Sequence, residues 1–558
     1  MSYIPSRRLF FLSAALALLI LGILAGCALD PTAAPTPTPL PRGGTLTIRM
    51  AADVPELHPW QPRSRGEEQI TELLYTGLTR LDAKLQPQPD LATAWMPSAD
   101  GRLITFTLRT NAVWHDGKPV TADDVAYTLS ALRELSPTTA LLDDMHRIAD
   151  VTTPATNTVV ISLTERYSPI FADLAVPILP KHLLIGKNIA TLNFWDAPVG
   201  SGPFQFTARA PGASVTLAAN QRYYRGPPLL DRVALLVADP KVAADALKDN
   251  RLLLAELPWS AGKAITNTLP SIHAGAYAEN GYYYLAFNLR QGRLFADRRV
   301  RQALAEAIDL PRLVHDATDG QGMQIFSSAV PGSWADFARP TSDTVNLDRA
   351  GMLLDEAGWK LPEGNGALRA QNGITLPPQL FERGDDARRV RAAERIAHAT
   401  RRIGMNIVVA RADFASVIVS KYAPPYDFDL LLGSWSNGAG DPTFADYAFY
   451  DPDDFPLFHS SQVNQGEADT RATLNFTGFK DPAYDNQAAA ARQLYDFAER
   501  GKFIRLAQQR VAEQKPYLFL WADRIPVALS PQVTTLDGPV NIETPMYLGN
   551  VERWYLKK

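Results

Sequence analysis

Hydrophobic positions recur with a period of two in some stretches and near 3.6 in others, and the two kinds interleave along the chain. In residues 104–109, Ile104, Phe106 and Leu108 alternate with Thr105, Thr107 and Arg109, the period of a half-buried strand. Residues 43–51 alternate in the same way, and 158–163 predict a further strand. Residues 67–77 instead place Ile70, Leu73 and Leu74 on one helical face, with Leu78 just beyond. Asp116-Gly117 supplies a turn. Thr121, with Asp124 three residues on, resembles a capping box that opens a helix whose Val125, Leu129 and Leu132 face inward. In the second half, 282–288 predicts a strand and 297–308 a helix with Val300, Leu304, Ala307 and Ile308 on its stripe. Asn346 caps a helix that Gly358 stops. Residues 387–403 form a strongly basic amphipathic helix ended by Gly404, followed by a short strand at 406–410. The apolar run 427–433 has the length of a buried strand. No internal repeat is found.

One apolar stretch stands apart. Arg7 and Arg8 precede eighteen uncharged residues, 9–26, and then comes the only cysteine of the chain, Cys27. Basic residues before an apolar run suit an export signal or a short membrane span. Residues 24–27, Leu-Ala-Gly-Cys, resemble a bacterial lipobox, and in proteins carrying one the cysteine receives a lipid and becomes the new N-terminus. An uncleaved transmembrane anchor is the alternative, since eighteen apolar residues nearly span a bilayer. Either way the rest of the chain is expected outside the cytoplasm and tethered there. With no other cysteine it must fold without disulfides. Residues 28–42, rich in proline, threonine and alanine, read as an extended linker that at about 3.1 Å per residue reaches roughly 45 Å.

Composition narrows the function classes. The chain of 558 residues is too long for one core, so several domains are expected. It is 46% hydrophobic and 20% charged with a net charge of −4, which gives no basic field for nucleic acid. Forty-three prolines point to fixed turns. The eight histidines are scattered, with no pair at helical spacing, so no metal site or cofactor is expected. No G-x-S-x-G elbow, H-E-x-x-H helix or P-loop is present. His115-Asp116 is half a catalytic pair at most. Residues 431–442 combine a buried strand with a small, polar, glycine-rich turn led by Trp435, and ligand sites in α/β sheets favour such strand ends.

Several segments together resemble the extracellular solute-binding proteins of the oligopeptide/dipeptide/nickel class that serve ABC importers. They are 73–82 (LLYTGLTRLD), 91–95, 106–129 around Trp114-His-Asp-Gly-Lys-Pro119, 177–184, 198–204 (PVGSGPF), 220–231, 286–309 and 355–359 (DEAGW). The resemblance covers nearly the whole chain beyond the linker. It implies an α/β, two-lobe periplasmic-binding-protein-like clamp (type II, cluster C-like) with mixed sheets, three domains and two hinge crossings near 284–288 and 520–522. The implied domains are a signal peptide at 1–27, a linker at 28–42, domain I at 43–76, 203–285 and 522–558, domain II at 77–202, and domain III, the second lobe, at 286–521. Both crossings are apolar, strand-like segments able to pair side by side. A ligand touching both lobes would shift an open–closed equilibrium.

The resemblance also implies binding residues. Oligopeptide- and dipeptide-binding members carry an aspartate three residues after the tryptophan, pairing with the ligand's α-amino group. Here that position is Gly438, flanked by Asn437 and Ser436, with Asp441 further on as turn residue or ligand contact. Trp435 fits either core packing or the cleft wall, and its family position favours the wall. Arg63 and Arg65 fall where members send a loop into the cleft, and there two arginines would favour a carboxylate or phosphate; solvated loop arginines are the plain alternative. Tyr283, within Tyr282–Tyr284, and Trp521 straddle the crossings, facing cleft or core.

The expected function is therefore a lipid-anchored binding protein, attached through Cys27 to the outer face of the cytoplasmic membrane. It would be a monomer without catalysis that captures a short peptide or similar polar solute for ABC permease subunits. A ligand sensor, a peptide chaperone or, less favoured, a hydrolase on the same scaffold are the alternatives.

Overall fold

A thirteen-residue strand, Tyr517–Leu529, runs through the middle of the protein and pairs with elements of both halves. The computed structural model describes residues 41–60, 64–134, 144–189, 192–337, 344–362, 368–375, 377–435, 452–464 and 474–557. Residues 42–558 make up one unit. Among the described residues no helix is long and apolar enough to cross a membrane.

The C-terminal part of the long strand, from Arg524 to Leu529, pairs antiparallel with His273–Ala278 and with Leu254–Glu256. The sheet continues through Thr45–Met50, Arg232–Val237, Ser214–Ala219 and Phe204–Ala210. Thr45–Met50 lies parallel to Arg232–Val237, and the outer pairs are antiparallel hairpins. A separate antiparallel sheet of four strands, Ala92–Pro97, Leu103–Leu108, Thr158–Leu163 and Ile148–Ala155, holds the segment expected as domain II. The alternation read at 104–109 is realised there: Ile104, Phe106 and Leu108 are buried. Asp124 closes the expected capping arrangement, its Oδ2 accepting from the Thr121 backbone N–H at 2.8 Å and from the Thr121 hydroxyl at 3.1 Å.

The N-terminal part of the long strand, Tyr517–Trp521, pairs antiparallel with Tyr282–Phe287, and that strand pairs in turn with Leu430–Trp435. Gln379–Arg383 and Val408–Ala412 complete this half-sheet in parallel. The strand Tyr282–Phe287 is buried at every position. Tyr283, Leu285 and Phe287 enter one apolar cluster; Tyr282, Tyr284 and Ala286 enter another on the opposite face. A strand covered on both faces needs no polar alternation, which explains its unbroken apolar sequence. The expected helices appear as Arg298–Ala307, Leu347–Glu356 and Ala387–Arg401, capped by Asp297, Asn346 and Asp386.

The change from one half-sheet to the other falls at 279–282 and 521–524, a few residues from the expected 284–288 and 520–522. The two crossings do pair side by side, with Tyr283 opposite Trp521 and a register shift between Tyr283 and Tyr284. The first helix also differs from expectation. It runs Arg65–Leu74 rather than 67–77, because Ser64 caps its start and the chain leaves helical geometry at Tyr75. Gly77 follows, so close to the Ala175 carbonyl oxygen that an added Cβ would sit 2.5 Å from it. The 198–204 motif has a comparable reason: a Cβ at Gly200 would lie 1.9 Å from the Leu74 carbonyl oxygen, while Gly202 N–H donates to that oxygen at 2.9 Å.

Candidate functional site

Where the half-sheets join, residues 279, 283, 386–389, 434–435 and 521–523 meet. The helix Ala387–Arg401 begins at this junction, with Asp386 accepting from the Arg388 backbone N–H at 2.9 Å. Cations at a helix N-terminus oppose the macrodipole, so Arg388 and Arg389 need acidic partners there. Arg388 finds two, and a hydroxyl besides: Nη1 donates to Asp523 Oδ2 at 2.7 Å, Nε to Asp386 Oδ1 at 3.2 Å, and Nη2 to the Tyr283 hydroxyl at 2.6 Å. Arg389 Nη2 donates to Ser434 Oγ at 2.6 Å. Both guanidinium groups also lie 5.1 Å from the Tyr283 ring centroid, within cation–π range.

Tyr283 and Trp521 stack with centroids 4.4 Å apart and planes 14° apart. Trp435 follows one strand over, opposite Tyr282 in register, half-buried, its Nε1 donating to the Tyr517 hydroxyl at 3.4 Å. Tyr284 stacks on Tyr517 at 4.2 Å, with Tyr422 and Phe476 alongside. Gly433 has no room for a side chain: a Cβ would meet the Tyr284 and Tyr422 hydroxyls at 2.7 Å. The result is an aromatic floor in two layers, one on each face of the sheet: Tyr283 and Trp521 on the side of the charged edge, Trp435, Tyr284 and Tyr517 on the other.

That edge carries a strained electrostatic balance. Glu279 and Asp523 are 2% and 4% exposed, and Glu279 N–H donates to the Asp523 carbonyl at 2.9 Å. Burial pushes the Glu279 carboxyl up to about 8, the nearby Asp523 charge adds to the effect, and Arg388 opposes it. Burial likewise raises Asp523, against the pull of Arg388. Glu279 Oε1 has no hydrogen-bond partner among the described residues. A protonated Glu279 beside an ionised Asp523–Arg388 pair is the arrangement these shifts favour.

Of the residues singled out from sequence, the structure brings Tyr283, Trp435 and Trp521 to this junction. Arg63, Ser436, Asn437, Gly438 and Asp441 lie outside the described residues, as does Cys27. Arg65 is elsewhere in use. It opens the helix Arg65–Leu74, is 2% exposed, and donates to Glu256 Oε1 at 3.1 Å, Glu68 Oε2 at 3.1 Å and the Pro545 carbonyl at 2.8 Å. Arg65 is neither the cleft-facing nor the solvated loop arginine that the sequence allows; a buried carboxylate 191 positions away draws it inward instead. The residues that sequence reading missed are Arg388, Arg389, Asp523 and Glu279. The only signal for the arginines was their unusual place in a first helical turn, hidden within a helix that is basic throughout.

Ser434, the hydroxyl of the floor, is bound by a guanidinium rather than by a base. Asp116 pairs with His182 at 2.7 Å and not with His115, whose ring is engaged by Gly200 and Gly202 and whose pKa burial lowers to about 4. Among the described residues no group of three or more potential metal ligands gathers.

Comparison with known proteins agrees with this architecture. Residues 86–456 match the profile of bacterial extracellular solute-binding proteins, family 5 Middle. The oligopeptide-binding protein AppA of Bacillus subtilis (strain 168) is 27% identical over 540 residues, 93% of this chain and 92% of that protein. The solved structure of AppA in complex with a nonapeptide superposes with a TM-score of 0.63 at 26% identity, covering 93% of this chain and 99% of that one. NikZ from Campylobacter jejuni in complex with Ni(L-His) gives a TM-score of 0.66 at 25% identity, covering 92% and 99%.

Proposed function

The chain belongs to the bacterial extracellular solute-binding proteins of family 5, and on that premise we propose that it captures a short peptide or similar polar solute outside the cytoplasm and delivers it to an ABC importer. The observation that carries this reading is the stacked Tyr283–Trp521 pair with Arg388, Arg389 and Ser434 beside it and Trp435 on the opposite face of the same sheet, at the point where the two half-sheets join. A ligand resting there and reaching either side favours the closed form only through contacts that the open form lacks. The bound nonapeptide of AppA and the Ni(L-His) of NikZ mark the range of polar solutes held by relatives. Tethering through a lipid on Cys27, delivery as a monomer and the lack of catalysis belong to the same reading.

The ligand's charge preference follows from which anchors remain. The resemblance implies an α-amino-binding aspartate in peptide-binding members at the position of Gly438, and Arg65 is engaged by Glu256. Arg388 is likewise engaged, by Asp523 and Asp386, so Arg63 and Arg389, whose Nη2 donates to the neutral Ser434 hydroxyl, are the cations proposed to meet a negative group, with Ser436, Asn437 and Asp441 proposed as polar contacts. The preferred ligand should depend more on an acidic group than on a free N-terminus. Native mass spectrometry of protein purified from its own source identifies what is carried. Binding of that ligand is then compared after N-acetylation and after Arg63→Ala. Affinity that collapses on acetylation yet ignores Arg63→Ala overturns the charge assignment, and turnover of a peptide or ester panel overturns the binding-protein reading.

A further inference from the structure

A cavity of about 190 Å³ lies inside the first half, walled, among the described residues, by positions between 59 and 225 and by 546–549. None of the described residues of 286–521 lines it, which sets it apart from the floor described above. Trp60, Tyr75 and Tyr223 supply aromatic walls. Glu68 and Glu72, one turn apart on the helix Arg65–Leu74, supply carboxylates. An engineered apolar cavity of about 150 Å³ holds benzene, so this one has room for a ring with a short substituent.

The charge around Glu72 is unbalanced. Arg65 is the cation that faces it, but the guanidinium is drawn toward Glu256 at 3.1 Å and reaches Glu72 Oε1 only at 3.5 Å. The Glu72 side chain keeps 27% of its surface, whereas Glu256 keeps 2%. Burial raises the Glu72 carboxyl to about 7, Arg65 opposes this and Glu256 adds to it. Four other carboxyl and guanidinium groups among the described residues line the cavity: Glu68 accepts from Arg65 at 3.1 Å, Arg225 and Arg80 face Asp90 and Glu552, and Asp90, raised by burial against the pull of Arg225, Arg80 and Arg109, accepts from the Tyr224 hydroxyl. An excess negative charge therefore sits on the Glu72 wall of a cavity that the rings of Trp60, Tyr75 and Tyr223 also line, the pairing that recognises a cation with an apolar body.

We propose that this cavity binds a small organic ammonium ion, its charged end on Glu72 and its apolar body against Trp60, Tyr75 and Tyr223. The site does not rest on solute capture at the half-sheet junction, and either assignment stands if the other fails.

Calorimetric titration of the full chain with benzylammonium, against neutral benzyl alcohol, tests it. At about pH 8 benzylammonium should bind saturably and at least ~10-fold more tightly than the alcohol, as a charge-assisted contact requires. Glu72→Gln should abolish that preference. Gly549→Leu should remove both, because an added Cβ at Gly549 meets nothing nearer than Arg80 Nη1 at 4.0 Å and the new side chain grows into the cavity. Glu72 takes up a proton as pH falls through its value of about 7, despite Arg65 beside it and the more distant Arg80 and Arg225, so binding should weaken toward pH ~6. No saturation by about 10 mM, binding that survives Gly549→Leu, or an ammonium preference that survives Glu72→Gln overturns the proposal. The two variants alter different walls, so a folding defect in one leaves the other to decide.

Discussion

Single residues at the half-sheet junction hold opposing charges out of water, and their energies are accessible to measurement. Glu279 titrates at about 8 in the folded protein against an ordinary 4.5. Between those values the folded chain holds a proton that the unfolded chain has released. The stabilising contribution is thus complete below about pH 4.5 and is lost as pH rises through 8. Glu279→Gln should raise the melting temperature at about pH 9 and leave it nearly unchanged at about pH 4, flattening the profile between. Parallel profiles for variant and wild type would contradict the assignment. Arg388→Met tests the neighbouring pair. It leaves the Asp523 carboxylate, 6% exposed, without its partner and should cost about 3–5 kcal/mol in urea unfolding. Adding Asp523→Asn should restore part of that loss; an equal or greater loss in the double variant would mean the two residues do not act as a pair.

At the scale of elements, the strands that form the floor depend on close approach rather than on propensity. Leu430–Trp435 carries Gly433 where the Tyr284 and Tyr422 hydroxyls, 3.2 Å apart, lie over the backbone. Both rings are packed among Phe476, Tyr517 and Trp435 and have little freedom to yield. Gly433→Ala should therefore destabilise by about 1–3 kcal/mol, the usual range for overpacking. It should also weaken solute binding, since Trp435 follows two residues on. A melting temperature and affinity equal to wild type would show that the tyrosines move aside freely. The basic helix Ala387–Arg401 has a related double role: Ala392, Ala393, Ile396 and Ala397 face the core while its first turn delivers Arg388 and Arg389 to the junction.

At the scale of the whole molecule, Tyr517–Leu529 is, among the described residues, the continuous strand shared by the two half-sheets, and the chain changes sides beside it at 279–282. The register shift between Tyr283 and Tyr284, opposite Phe519–Trp521 of this strand, is where a pivot is expected. Solute-bound protein should be more compact than solute-free protein in X-ray scattering, and an unchanged radius at saturation would argue against closure. Attachment is tested apart from binding: Cys27→Ser should release the protein from the membrane fraction or leave an unprocessed precursor. Retention of a membrane-bound variant with the wild-type mass would favour an uncleaved anchor.

The sequence by itself determined what is local. Alternation at 104–109, the Asp124 capping arrangement, the Asn346 cap and the apolar run of Tyr282–Phe287 each set an element within a residue or two, because period and capping act over a few positions. Ordered segments such as 106–129 and 198–204 carried the family. The partners of charged side chains were not legible. Arg65 is drawn to Glu256 across 191 positions and Arg388 to Asp523 across 135, and nothing in the spacing of either pair marks the contact. Sheet order alone brings these groups together, and burial then obliges each charge to find its counterpart. For the same reason Arg65, which reads as a surface loop residue, lies in the interior, and Arg388, which reads as part of a solvated helix face, stands at the floor of the site.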